Sequence, residues 1–506
     1  MHNSRRVVSV IFCALLLVAA APLAFHAAPP SDTLIILNAQ LADGLGGPLR
    51  QGSLRIRGDR IASIGNLVPA PGEPTVDARG LVLAPGFIDV HNHSAEGLDK
   101  DPLAETQIAQ GIATVILGAD GSSPWPIAAW LDMRRKNPVS LNLAVLVGHA
   151  TVREQVLGKD YQRASTTAEI EKMALLVDQG MREGAIGLSS GLEYDMGSYS
   201  TTDEVVALAT AAAKFHGFYM THIRDEADLS FKALEEEIAI GERAHIPVEH
   251  SHIKLGTVSV WGKAPEYIRV IDAARKRGLD FLADCYPYDA WASTIKVLVP
   301  NKQYEDPQSV AKALADVGGP GHVTIDEFPP NTAYQTHTIE DLAKQRGISP
   351  VEMYIRIIRE GNVAGTQASI IGQSMIERDI KAFYQQPWVM VASDGGIGLG
   401  HPRSAGTFPR VLGLYVREKK WLTLPEAIRK MTYLPAKRLG WKDRGVLREG
   451  AFADLVLFNP ATVIDRSTFQ RPLELPSGIE KVFVNGSLVW DAGKPTGARA
   501  GRVLPN

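Results

Sequence analysis

Two histidines flank an asparagine at the end of an apolar segment, in the sequence PGFIDVHNH of residues 85–93. Residues two apart in a β-strand face the same side, so His91 and His93 are predicted to point together into an interior while Asn92 faces the other way. Each buried imidazole needs a partner, and one metal ion satisfies both lone pairs. The pair therefore predicts a metal site at the end of a strand.

Four further residues of ligand type each follow a short apolar segment elsewhere in the chain. They are Asp120 after TVILGAD, His222 in GFYMTHIRDE, His252 in PVEHSHIK and Asp394 in WVMVASDGG. Any one of them alone more often caps a helix or bonds a backbone group. Together, four imidazoles and two carboxylates form the ligand set of a hydrolytic site that holds one or two zinc ions (Zn2+).

The elements that would position these residues alternate between short apolar segments and longer amphipathic ones. We predict strands near 84–90, 112–118, 141–147, 184–188, 217–222, 247–252, 280–285 and 388–393. Helical patterns lie between most of them, for example in TTAEIEKMALLVDQGMREG. Eight such units predict an α/β fold, a TIM-like (β/α)8 barrel, with the reactive groups at the carboxyl ends of its strands.

The segments outside the barrel have a different pattern. Residues 29–83 and 441–506 consist of short β-rich pieces separated by glycine turns, and we predict that they meet in one small β-sandwich. The barrel is assigned to residues 84–440. The connection between its seventh and eighth strands is far longer than an ordinary βα loop, so an inserted subdomain, about 295–368, is predicted to cap the barrel mouth.

The first residues have the pattern of a secretory signal. Arg5 and Arg6 precede an apolar segment from Val7 to Leu23, and we assign residues 1–28 to a signal peptide. This predicts a periplasmic or secreted protein with no stable membrane span after cleavage. No clean cleavage site is present, so a membrane anchor formed by an uncleaved signal is the alternative.

Charge and composition exclude one class of partner. The formal net charge is −3, which provides no basic field for nucleic acid. The expected partner is a small-molecule substrate. The sequence leaves the oligomeric state open.

Several segments resemble a known family. PGFIDVHNH, GLSSGLEY, THIRDEAD, SHIK, PWVMVASDG and HPRSAGTFPRVLGLYVRE resemble the amidohydrolase superfamily and, within it, the N-acyl-D-amino-acid deacylases, also called D-aminoacylases. The resemblance runs from about Leu34 to the C-terminus. It implies a zinc enzyme built from a barrel and a small β-sandwich. It also implies hydrolysis of N-acyl-D-amino acids to a carboxylic acid and a free D-amino acid.

The resemblance assigns roles to the metal ligands. His222 and His252 match the histidines of the tightly held zinc, and His91 and His93 match those of a second, weaker metal position. The SHxK motif selects His252 over His250, although the strand pleat alone would place both on the same side.

Two acids complete the implied catalytic set. Asp394 matches the general base of the family. Asp120 stands where many members carry a cysteine, and it is a harder ligand that can bind one zinc or bridge two metals. A bridged two-metal site is therefore more plausible here than in the family pattern.

Two cations near the predicted metal site favour an anionic substrate. Lys254 follows His252 by two residues, and Arg403 lies in the loop after the eighth strand, where its planar fork suits a carboxylate. A solvated surface lysine and a loop anchor are the alternatives for these two residues. The resemblance implies that both, with Tyr286 and Ser293, clamp the carboxylate of the amino acid.

Several further residues are candidates for the barrel mouth. His149 ends the third strand, and Arg224 and Glu226 follow His222; these three could line the mouth or could instead form local hydrogen bonds around it. Glu193 and Asp195, in the segment GLEYDMGSY, would disfavour acidic substrate side chains if they point inward.

Two other functions stay open at this point. A related metal-dependent amidohydrolase could act on dipeptides or cyclic amides, because stereochemistry does not follow from side-chain identities. A non-catalytic periplasmic protein could use the same residues to bind a metal or ligand. The presence of Asp394 disfavours the second alternative, since a binding protein does not need a base.

Overall fold

Eight short parallel strands form the centre of the computed structural model, which describes residues 32–505; the predicted signal peptide lies outside that range. The eight predicted strands are confirmed. They are Phe87–Asp89, Ile112–Leu117, Asn142–Val145 continued by Val147–Gly148, Gly187–Gly191, Phe218–His222, Val248–His250, Phe281–Cys285 and Val389–Val391. Each pairs in parallel with the next strand of this order. Nearly all of their side chains are buried, as expected for strands covered on both faces.

The ring closes between the eighth strand and the first. Asn92 and Gly395 form a parallel bridge, and the His93 N–H donates to the Gly395 carbonyl at 2.8 Å. The Asp394 N–H donates to the His91 carbonyl at 2.9 Å. The predicted barrel is therefore closed, and its closure uses the backbone of predicted site residues, which fixes Asp394 beside the two histidines.

Amphipathic helices surround the barrel. In Thr167–Arg182 the buried residues Met173, Val177 and Met181 recur every four positions, and a capping box of Thr166 and Glu169 starts the helix. The helices outside the cap are Gly97–Lys100, Glu105–Ile108, Ile127–Lys136, His149–Leu157, Thr167–Arg182, Asp195–Ser198, Thr202–Ala213, Ser230–Ala244, Ala264–Lys276, Glu377–Tyr384, Arg403–Arg410, the π-helix Val411–Glu418, Leu424–Met431 and Tyr433–Arg438.

The two terminal segments form one nine-stranded sheet, joined where Val82–Pro85 pairs antiparallel with Leu455–Phe458. Leu455 and Leu457 face a core within this β unit, while Val456 and Phe458 pack against the barrel. This alternation explains how one sheet covers two cores. Its strands are Thr33–Leu41, Arg50–Arg57, Arg60–Gly65, Thr75–Asp77, Val82–Pro85, Leu455–Phe458, Ile479–Val484, Ser487–Asp491 and Lys494–Pro495.

The insertion after the seventh strand has its own hydrophobic core. It contains the helices Ile339–Arg346 and Pro350–Ala364. Its three-stranded antiparallel sheet was not predicted, and it extends from Trp291 to Gly372, beyond both ends of the predicted 295–368. The strands are Trp291–Thr294, Val323–Glu327 and Ser369–Gly372; the other helices are Pro307–Asp316 and the 3-10 turns Ile295–Leu298, Pro320–His322 and Pro329–Tyr334.

Among residues 32–505, no helix is long and apolar enough to span a membrane.

An ion pair stabilises the terminal sheet and makes its stability depend on pH. Arg55 Nε lies 2.6 Å from Glu73 Oε1, and this hydrogen bond lowers the pKa of Glu73 to about 2. Because folding lowers the pKa of Glu73, its ionised carboxylate stabilises the folded state at any pH above the ordinary pKa of 4.5. This stabilisation is lost as the pH falls from 4.5 towards 2. Glu73→Gln should therefore lower the melting temperature at pH 6, and the difference from wild type should shrink between pH 4.5 and 2. Glu480→Gln on the same sheet is the control, and an equal convergence there would contradict the prediction.

Candidate metal centre and active site

The imidazoles of His91 and His93, which follow the first strand, lie side by side, as the sequence predicts. His91 Nε2 and His93 Nε2 lie 3.2 Å apart. Both face Asp394 Oδ1, at 3.3 Å and 3.1 Å. His91 is fully buried, whereas the His93 side chain is 32% exposed towards the barrel mouth.

Asp120 lies at the centre of the cluster. It follows the second strand with a φ of 55°, in a turn where Gly118 and Gly121 also have positive φ. Its Oδ2 atom lies 3.5, 3.6 and 3.7 Å from the Nε2 atoms of His91, His93 and His252, respectively. Its Oδ1 atom is buried and has no hydrogen-bond partner among the described residues.

These separations fit a metal site. Ligand atoms bound at about 2.0–2.2 Å to a tetrahedral zinc lie roughly 3.3–3.6 Å from one another. Two groups of side chains each place their ligand atoms within 4.8 Å of one another, and they share Asp120: His91, His93, Asp120 and Asp394 in one, Asp120, His222 and His252 in the other. The donor set and the orphaned oxygen of Asp120 thus fit one metal or two.

His252 enters the site in a way that the strand pleat does not explain. His222 Nδ1 and His252 Nε2 lie 2.9 Å apart. The sixth strand ends at His250, and the chain then turns, with a φ of 35° at His252. His250 points away and pairs with Glu237 at 2.5 Å. The expectation that both histidines face the same side was wrong, because the strand ends two residues earlier than predicted.

A carboxylate stands behind three of the four imidazoles. Glu193 Oε2 is 2.8 Å from His222 Nε2, and Glu226 Oε1 is 3.2 Å from His252 Nδ1. Asp284 Oδ2 is 3.5 Å from His91 Nδ1. An acid within hydrogen-bond distance, as Glu193 and Glu226 are, fixes the ring orientation and the tautomer of a metal-binding histidine. Among the described residues, Asp284 and His91 do not form such a hydrogen bond. The arrangement leaves the Nε2 atoms of His91 and His252 facing Asp120.

The electrostatics of the site favour a bound cation. Burial by itself raises the pKa of Asp120, but the neighbouring His91 and His252 hold that pKa well below the ordinary value. Burial and Lys254 lower the pKa of His252, yet three acids raise it to about 9. The buried acids therefore stabilise positive charge at the imidazoles, as they would stabilise a metal ion.

A cavity of about 480 Å³ lies between this cluster and the cap. Lys254, Ser293 and Arg403 line it, as the carboxylate clamp requires. Tyr286 lies deeper, with its ring centroid 4.7 Å from Arg403 Cζ and its hydroxyl buried without a partner. The structure thus brings the four predicted substrate-binding residues to one end of the barrel.

Both cations of the predicted clamp face acids of the site. Lys254 Nζ is 2.6 Å from Glu226 Oε1 and 2.8 Å from His252 Nδ1. Arg403 Nη1 faces Asp394 Oδ2 at 2.7 Å. The sequence did not reveal these pairs, because the partners come from different strands.

Tyr194 is a site residue that the sequence analysis did not single out. Its hydroxyl lies 3.1 Å from His222 Nδ1, and its ring lines the cavity. Glu193 beside it also lines the cavity, whereas Asp195 instead accepts a hydrogen bond from Tyr161 at 2.5 Å. A tyrosine after a buried strand has no signal of its own, since the loop conformation decides where it points.

Comparison with known proteins defines the class. Residues 74–490 match the Amidohydrolase family. The chain belongs to this family and is a metal-dependent amidohydrolase. This confirms the superfamily inferred from the sequence motifs.

Individual relatives indicate which branch of the family the chain resembles. The chain is 36% identical to D-aminoacylase of Alcaligenes xylosoxydans xylosoxydans, over 93% of this chain and 97% of the relative. It is also 36% identical to N-acyl-D-aspartate deacylase of the same organism, over 94% and 96%. A crystal structure of D-aminoacylase superposes with a TM-score of 0.84 at 33% identity, covering 94% of this chain and 100% of that one. The resemblance to the deacylase branch is therefore confirmed.

Proposed function

We propose that this protein hydrolyses the amide bond of N-acyl-D-amino acids with the help of zinc, releasing a carboxylic acid and a free D-amino acid. One observation carries the proposal: Asp120 Oδ2 lies 3.5–3.7 Å from three imidazole nitrogens, with Asp394 beside them. The names of the relatives support the substrate class. A structure of an N-acyl-D-glutamate deacylase from Bordetella bronchiseptica, 33% identical, is complexed with zinc and a phosphonate inhibitor.

His91, His93, Asp120, His222 and His252 would hold the metal. When bound there, zinc would supply a Lewis acid that activates water and polarises the amide carbonyl. Asp394 is the general base. Burial alone would raise its pKa, but Arg403 and the imidazoles hold it well below the ordinary value, so the carboxylate is ionised at neutral pH. Its Oδ1 atom would take a proton from water and pass it to the amine nitrogen, which must leave protonated.

Lys254, Tyr286, Ser293 and Arg403 orient the substrate. A planar guanidinium suits a carboxylate, and Arg403 is stacked over the Tyr286 ring, which restricts its motion. A bound substrate carboxylate would contact the two cations, and Asp394 would then be available for proton transfer. This requirement for a free carboxylate favours linear N-acyl amino acids over cyclic amides.

The position of Asp120 supports a two-metal site that it bridges. Asp120→Ala should then lower the zinc content from about two ions per chain to about one or none. Elemental analysis of protein loaded with zinc and freed of excess metal measures this ratio. Asp132→Asn, at an exposed position on helix Ile127–Lys136, is the control and should keep the wild-type ratio. An unchanged ratio in the Asp120 variant would contradict the bridging role.

Paired substrates test the proposed function. Purified protein would be incubated with N-acetyl-D- and N-acetyl-L-amino acids, with and without a chelator. We expect release of free amino acid from the D series alone, lost with chelator and restored by zinc. If neither series released free amino acid, the deacylase proposal would be contradicted. Preference for the L series would retain the chemistry and overturn the substrate class.

We also propose that the protein acts in the periplasm or outside the cell. The motif at residues 1–28 supports this location. Fractionation followed by N-terminal sequencing of the mature protein tests it. A chain in the cytoplasmic fraction that retains Met1 would contradict it, and an intact chain in the membrane fraction would indicate the anchored alternative.

A further inference from the structure

An irregular strand of the cap forms one wall of the active-site cavity. In strand Val323–Glu327, Ile325 pairs with Ile370 and Glu327 with Ser369, so Asp326 is an extra residue. Neighbouring side chains of a regular strand point to opposite faces. Both Asp326 and Glu327 nevertheless line the cavity, because the bulge changes the direction of the strand.

The Asp326 carboxylate has no cationic partner. Its hydrogen bond comes from the Ser369 hydroxyl at 3.3 Å. Among residues 32–505, no ion pair within 4 Å includes it. Burial, and then the charge of Glu327, raise its pKa. Gly400 packs against the carboxylate so closely that a Cβ there would collide with it.

The charges around the cavity are strongly unequal. Lys254 and Arg403 are the lysine and arginine residues among its described lining, and each already faces an acid of the catalytic centre. The acidic lining residues are Asp120, Glu193, Glu226, Asp316, Asp326, Glu327 and Asp394. One substrate carboxylate can be matched by the two cations. A second carboxylate would meet Asp326 and Glu327 without a cation to neutralise it.

From this geometry we infer that the enzyme selects N-acyl-D-amino acids with neutral or cationic side chains, and that Asp326 and Glu327 are the residues that exclude acidic ones. The inference rests on the proposed function and narrows it. Relatives of nearly equal identity include an N-acyl-D-aspartate deacylase and an N-acyl-D-glutamate deacylase. Overall sequence identity therefore does not tell an enzyme for acidic side chains from one for neutral or cationic side chains. The two acids in the cap wall are what favour the second class here.

The test compares two substrates of equal shape, N-acetyl-D-glutamine and N-acetyl-D-glutamate. We expect wild-type kcat/KM to favour the glutamine substrate by at least about tenfold, the size expected for a substrate carboxylate several ångströms from the half-buried Asp326, with a smaller contribution from the exposed Glu327. The double variant Asp326→Asn/Glu327→Gln should reduce this preference about tenfold. It should change kcat/KM for the glutamine substrate little, since asparagine can still accept the Ser369 hydrogen bond.

Glu305→Gln is the matched control, since Glu305 is exposed on the cap and pairs with Arg359. It should keep the wild-type preference. If the double variant does not fold, the single variant Glu327→Gln still tests the inference. It should also reduce the preference for the glutamine substrate. Equal hydrolysis of the two substrates by wild type, or an unchanged preference in both variants, would overturn this inference alone. Absence of hydrolysis of every N-acetyl-D-amino acid would instead overturn the proposed function.

Discussion

Asp394→Asn is expected to lower kcat by about 10²–10⁴-fold, the usual cost of losing a general base. Asparagine retains an oxygen at the position of Oδ1, 3.1 Å from His93 Nε2, but it cannot accept a proton at neutral pH. Steady-state rates on an N-acetyl-D-amino acid, at matched zinc content, measure the effect. The substrate KM should change much less than kcat, because Asp394 acts on the proton.

Metal content separates this result from a structural defect. Asp132→Asn removes the same charge at an exposed position on helix Ile127–Lys136 and should keep wild-type kcat. If zinc-replete Asp394→Asn retained most of the wild-type kcat, another group would have to serve as the base. The assignment of Asp394 would then be wrong.

His252→Ala and His250→Ala should separate a site residue from a structural one within three positions of the chain. His252 Nε2 faces Asp120 and His222, so its loss should reduce metal affinity and activity by more than about 10²-fold, beyond the usual effect of a residue that only supports a ligand. His250 contacts Glu237 away from the cavity, so His250→Ala should keep the zinc content of wild type.

When zinc is absent, His250→Ala should be the less stable of the two variants, although it keeps the metal site. Burial raises the pKa of Glu237, and His250 opposes that rise. Removing His250 leaves a buried carboxyl without its partner, at a cost of about 1–3 kcal/mol. Metal analysis with thermal melts of the zinc-free proteins measures both properties. If His250→Ala lost zinc and His252→Ala retained it, His250 would be the metal-site residue and His252 the structural one, contrary to the prediction.

The barrel could be predicted because its strands are short, buried on both faces and separated by amphipathic helices. Ile112–Leu117 is entirely buried and apolar apart from Thr114, so its composition identifies it. The cap helix Pro350–Ala364 was also identifiable, since Ser349 and Glu352 form a capping box and Gly365 ends the helix in a left-handed conformation.

The cap sheet could not be predicted from its strands. Trp291–Thr294 and Ser369–Gly372 have four residues each, and their pairing joins positions more than seventy residues apart. Such strands form because a partner is available, and no local pattern specifies that partner. The bulge at Asp326 has the same origin.

The metal ligands were predictable in type but not in detail. His91 and His93 follow the pleat because their segment still pairs with Gly395. His252 does not, because a left-handed residue after the strand turns the chain. The acids behind the imidazoles, such as Glu193 behind His222, belong to other strands and loops. Only the closed barrel brings them within reach.

The central claim is that side chains from four different strand ends hold one metal centre. Diffraction from zinc-loaded crystals on both sides of the zinc absorption edge tests it directly. We expect an anomalous peak within about 2.0–2.2 Å of an oxygen of Asp120 and one nitrogen each of His222 and His252. A fully loaded protein with no anomalous density between Asp120 and these two histidines would contradict the account.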